Sequence, residues 1–223
     1  ASPGNNWVGS SYDNNIIPVL FNGYNIGNLT SVSLEYSKAG LSNWVEGFTR
    51  QAAQINNSSN GTLVNWNITG LADGAYNLRL RLNCANGIVY SERVSGVIDR
   101  QAPALLGRQQ PADDNYITGD VIGASFNENI DCSTVTNYNA ELIRLSNGQV
   151  IDIRLGCYQN SIVIVPLTDI ASFTGDSMQV TLRGIADIYG NVKPGNEIWT
   201  FIVGNFTPAN NNSTASIVCT DSI

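Results

Sequence analysis

Apolar and polar residues alternate with a period of two along most of this chain, and no stretch carries the 3.6-residue spacing of an amphipathic helix. Residues 76–84 are the clearest case: Tyr76, Leu78, Leu80, Leu82 and Cys84 share one parity, and Asn77, Arg79, Arg81 and Asn83 the other. That is a strand with one buried face. Asn86-Gly87 then signals a two-residue hairpin, with Ile88-Val89-Tyr90 beginning the return strand. Upstream, the pattern predicts strands at Ile16 to Phe21, at Val32 to Tyr36, from Trp44 onward and over 63–68. Residues 97–102 read as a strand running into Pro103, which holds its predecessor extended. So short a junction, poor in Gly and Ser, predicts a semi-rigid hinge.

A second set of strands follows, over 121–126, 140–145, 150–155, 162–165, 178–182 and 198–203. Turns are expected at Asn147-Gly148 and over 187–191. The pattern predicts an all-β chain of two tandem immunoglobulin-like β-sandwiches, since 223 residues suit two domains of about 100 residues each. The first spans 1–102 with an N-terminal extension, the second 103–204. Residues 205–223 form a linker and a terminal β segment around Ile217 and Val218.

Two stretches carry a family resemblance. Leu71-Ala72-Asp73-Gly74-Ala75-Tyr76 resembles the tyrosine corner of Greek-key sandwiches, in which the phenol bonds backbone upstream, and residues 30–100 look like a fibronectin type III module. Gln110-Pro111-Ala112-Asp113, the run Phe126 to Asp131, Val163-Ile164-Val165-Pro166, the run Gly184 to Asn191 and Trp199-Thr200-Phe201 are together similar to bacterial Ig-like domains of the S-layer-protein type. The resemblance covers residues 103–204 in order and spacing. It implies a bacterial cell-surface or secreted protein with tandem modules, and it carries no catalytic residues.

Composition narrows the chemistry. The chain has no histidine, which removes Ser-His-Asp and Cys-His nucleophiles and the commonest general base. Paired carboxylates such as Glu128 and Asp131 lie at a strand end, where solvated surface acids are the simpler account, so no enzyme is expected. Net charge is −7, with six acids against six bases through Ala102 and twelve against five beyond it. An acidic surface repels phosphate backbones, so nucleic acid is not an expected partner. No run of about 18 apolar residues is present to span a membrane, and Ala1-Ser2-Pro3-Gly4 is no export signal. Ca²⁺ at the loop acids Asp113, Asp114 and Asp187 is the one cofactor to weigh. With no EF-hand spacing behind it, a solvated acidic surface is preferred.

Four cysteines allow three pairings. Cys132 and Cys157 both fall in the second module, either bridged or as two buried thiols; the extracellular resemblance favours the bridge. Cys84 and Cys219 remain, to pair with each other, between subunits or not at all. Sequons that permit glycosylation occur at Asn28, Asn57, Asn60, Asn67, Asn205 and Asn212. Of the tryptophans, Trp44 and Trp199 are expected in cores, and Trp7, in a polar loop, is the candidate for exposure and sugar stacking.

The expected function is an extracellular structural or adhesive protein, self-associating or joined to neighbouring modules. One form is a filament subunit that donates Ile16 to Phe21, or the Ile217-Val218 segment, to a neighbour's sheet. The alternative is a glycan-binding accessory module of a secreted hydrolase.

Overall fold

The computed structural model describes residues 3–10, 14–22, 26–55 and 61–204. The described residues are all-β, with four short 3-10 turns between the strands. The chain divides into two compact units, each with its own core. Unit 1 is Ala1–Pro103 with Ala186–Lys193, and unit 2 is Ala104–Ile185 with the chain from Pro194 onward.

Unit 1 contains β1 (Trp7–Gly9), β2 (Ile16–Phe21), β3 (Leu29–Lys38), β4 (Val45–Gln51), β5 (Gly61–Asn67), β6 (Gly74–Cys84), β7 (Gly87–Tyr90) and β8 (Val94–Ile98). The larger sheet runs β1-β8-β6-β3-β4, with β7 also on β6, and a two-stranded sheet pairs β2 with β5. On β6 the even residues Tyr76, Leu78 and Leu80 point into the core, as their alternation requires. Each such leucine contributes roughly 2 kcal/mol through burial. Ile17, Val19 and Phe21 of β2, with Leu63 and Trp66 of β5, close the same core from the other side. Ile16–Phe21 is therefore not a spare segment awaiting a neighbour. Its alternate residues belong to its own unit's core, and this corrects the expectation that it donates a strand. Pro18, on the exposed parity, is tolerated because a strand with one partner can leave a donor missing.

The Tyr76 hydroxyl donates to the carbonyl of Ala72 at 2.9 Å, the upstream bond that the Leu71-to-Tyr76 spacing anticipates. The hairpin after β6 forms one residue early. Cys84 pairs with Gly87, so the loop is Ala85-Asn86, and Gly87 sits at φ +135° as the first residue of β7.

Unit 2 contains β9 (Asn115–Tyr116), β10 (Ile122–Ser125), β11 (Ala140–Arg144), β12 (Gln149–Ile151), β13 (Ile153–Tyr158), β14 (Ser161–Pro166), β15 (Ser177–Leu182) and β16 (Glu197–Val203). Its sheets run β10-β14-β13 and β12-β11-β15-β16-β9. The run 150–155, one strand by pattern, is split at Asp152: β12 belongs to the second sheet and β13 to the first. Both sheets bury residues in one core, among them Phe126, Leu142, Ile162, Ile164, Met178 and Phe201.

Candidate functional site

Cys132 and Cys157 are joined by a disulfide, with Cα atoms 5.5 Å apart. Cys132 opens a 3-10 turn whose first residues are capped by Asp131, its Oδ1 accepting from Ser133 N at 3.0 Å. Closing a loop 25 residues long stabilises unit 2 by roughly 3 kcal/mol, chiefly by restricting the unfolded chain. Cys84, half-buried against the unit 1 core, bonds no described cysteine. Cys219, Ile217 and Val218 lie outside the described residues.

The tryptophans depart from expectation. Trp7 is only 7% exposed. It lies on β1 with its ring 6.0 Å from that of Trp66, edge-on, and over Gly96, where a Cβ would overlap the indole. It is a core residue and offers no stacking platform. Polar neighbours in sequence hid this, because β1 pairs with β8 from ninety residues away. Trp44, expected in the core, lies half-buried on the outer face of the large sheet. Trp199 is buried, its Nε1 donating to Gln110 O at 3.1 Å.

That outer face of unit 1 is built around Glu35. The interior strand β3 is flanked by β6 and β4, and its polar residues Ser31, Ser33, Glu35 and Ser37 are buried, with Ser31 bonded by Asn83 of β6 and Ser33 by Thr49 of β4. The Glu35 carboxylate accepts from Arg79 Nε at 2.7 Å and Arg81 Nη1 at 3.3 Å. The Arg79 guanidinium is itself sandwiched between the rings of Trp44 at 4.0 Å and Tyr90 at 4.1 Å. Cation–π contacts contribute from about 1 kcal/mol at exposed sites to about 2 kcal/mol where desolvated. Glu35 and Arg79 are committed to each other and to these two rings, so the cluster is a structural lock, while Tyr90 still leaves much of its surface to solvent.

The loop carboxylates are likewise occupied. Asp113 Oδ1 accepts from Asn115 N at 3.2 Å, and Asp114 pairs with Arg108 at 2.8 Å on the surface. Buried Asp187 accepts from Tyr189 N and Asn191 N through Oδ1, and from Asn191 Nδ2 through Oδ2, all at 2.8 Å. Asn191 Nδ2 also reaches Asp99 O at 3.1 Å. Burial pushes the Asp99 carboxyl above its ordinary value, and the nearby charges of Asp187 and Asp73 push the same way, against a hydrogen bond from Gln101 N.

Asn28 and Asn67 are exposed, and Asn67 Oδ1 accepts from Thr69 N at 2.9 Å within its own sequon. Asn57, Asn60, Asn205 and Asn212 lie outside the described residues.

The return strand expected at Ile88-Val89-Tyr90 is present as β7, but its exposure was not anticipated. Ile88, Val89 and Tyr90 are 56%, 56% and 48% exposed, although they follow directly on a well-packed strand. Among the described residues β7 pairs only with β6. Three consecutive apolar residues suit a strand buried on both faces, so the local pattern carried no sign of this exposure. Compared with protein-family models and with curated proteins, the chain matches none.

Proposed function

We propose that this chain is a non-enzymatic structural or adhesive protein of a bacterial surface or secreted assembly, built of immunoglobulin-like modules that associate by strand addition at β7. The observation that carries this reading is the apolar edge Ile88-Val89-Tyr90. Natural sheet edges are normally blunted by lysine, proline, a bulge or a covering element, because unpaired N–H and C=O groups recruit further strands. Those three positions carry neither lysine nor proline. The donor is the segment 215–220 of a second copy, whose Ile217-Val218-Cys219 run has the residue types of a strand. The Cys132–Cys157 bridge and the exposed sequons at Asn28 and Asn67 support an oxidising, extracellular setting. The alternative reading, a glycan-binding accessory module of a hydrolase, loses Trp7 as its platform.

Two variants test the two halves of the proposal in sedimentation and electron microscopy of the full chain. Val89→Lys places a charge on the exposed edge and should leave a folded monomer. Deleting residues 213–223 should do the same by removing the donor. Assembly that persists in Val89→Lys refutes β7 as the acceptor; assembly that persists in the deletion refutes the tail as the donor.

A further inference from the structure

We infer that unit 2 carries a binding groove for a neutral oligosaccharide at the Tyr138 turn. This rests on a different surface from β7 and stands or falls without it. Tyr138 is 93% exposed, at the tip of the turn between the 3-10 segment and β11. A single exposed aromatic is ordinary on a protein surface; what singles out Tyr138 is that it borders a groove lined by polar side chains.

The turn that presents it is pinned. Asn139 N donates to Thr136 O at 2.8 Å, and Asn139 Oδ1 accepts from Thr136 N at 3.1 Å and from Thr136 Oγ1 at 2.6 Å. Asn139 Nδ2 then ties the turn to Arg183 O at 3.1 Å. The backbone that carries the ring is thus ordered before any ligand arrives, which lowers the cost of ordering the turn on binding.

Beneath it lies a groove of about 410 Å³ that runs from Tyr138 across Ile151 and Ile153 to Leu167. It exists because the chain changes sheets at Asp152: β12 is the edge of one sheet, β13 the edge of the other, and neither covers the gap. Its walls are polar. Glu141 and Arg183 form an ion pair at 3.1 Å, while the Asp152 carboxylate and the Asn137 amide make no side-chain bond to any described residue.

This combination matches the two-faced chemistry of a sugar ring. The C–H face of a pyranose stacks on the electron-rich face of an aromatic ring. Its vicinal hydroxyls are bonded by planar carboxylate, amide and guanidinium groups, which converge here with spare capacity at Asp152 and Asn137. The unpaired Asp152 charge, in a region that supplies all the chain's net negative charge, disfavours uronates and sulfated sugars.

The test is a titration of the full chain, followed by amide chemical shifts and calorimetry, with neutral cello-, xylo-, malto- and manno-oligosaccharides and an oligogalacturonate as the acidic control. At least one neutral probe should bind saturably and shift residues 137–141, 150–153 and 183, and the acidic control should not. Tyr138→Ala and Asp152→Ala should each weaken that binding by about tenfold or more, and Tyr138→Phe should retain it. Tyr138 buries almost nothing, so its alanine variant should keep the wild-type circular dichroism. Absence of binding by every neutral probe at millimolar concentration overturns the inference. So does binding that Tyr138→Ala leaves intact.

Discussion

Glu35 shows how a single polar residue can be committed to structure. Its carboxylate is buried and compensated by two guanidinium groups, one of them locked between aromatic rings. Removing it in Glu35→Ala leaves Arg79 desolvated without its counter-charge, and should cost about 3 kcal/mol in urea denaturation. Trp7 divides differently. Trp7→Ala opens a cavity and should cost roughly 3 kcal/mol. Trp7→Phe should be far milder, because it keeps the packing and deletes an indole N–H that is buried without a described partner. Asp99 works against the fold at neutral pH. Its folded-state carboxyl titrates above 3.8, so acidification through that raised value protonates the native state before the unfolded one and stabilises it. Asp99→Asn should therefore be more stable than wild type at pH near neutrality. The gap should close as pH falls toward 3.8, and a constant gap across that window would contradict the assignment.

Among elements, β3 and β7 mark the limits of pattern reading. The alternation of β3 predicts one wet face, yet Ser31, Ser33, Glu35 and Ser37 are all buried. A central strand takes cover from both neighbours, and strand order is not written in the strand itself. On β7 the opposite holds: three consecutive apolar residues stay exposed, because β7 lies off the main path of the sheet. The disulfide is an element-scale staple between a 3-10 turn and β13. Replacing both Cys132 and Cys157 by alanine should lower the stability of unit 2 by about 3 kcal/mol, measured by denaturation against the oxidised wild type.

At the scale of the whole molecule, the buried residues fall into two distinct cores. Trp7, Trp44 and Trp66 report on unit 1, and Trp199 on unit 2. Tryptophan fluorescence under urea should resolve two steps. A reducing agent should move the step seen by Trp199, whereas Glu35→Ala should move the larger step seen by the other three. One transition displaced as a whole by either change would show that the units unfold together.

Within the sequence alone, period-two alternation was enough to specify an all-β chain, most of its strands and the inward parity of residues such as Leu78, Leu80 and Met178. Burying every second side chain is a local property of an extended chain packed on one face. The Tyr76 corner was legible for the same reason, since its bond spans four residues. What the local pattern could not carry was anything decided by partners distant in sequence. Trp7 became core only because β1 runs beside β8, and Trp44 became part of a surface lock only because Arg79 and Tyr90 arrive there from β6 and β7. The groove at Tyr138 exists only because Asp152 marks a change of sheet. Exposure is a property of the assembled surface, and tertiary structure alone decided which apolar and aromatic residues were left facing water.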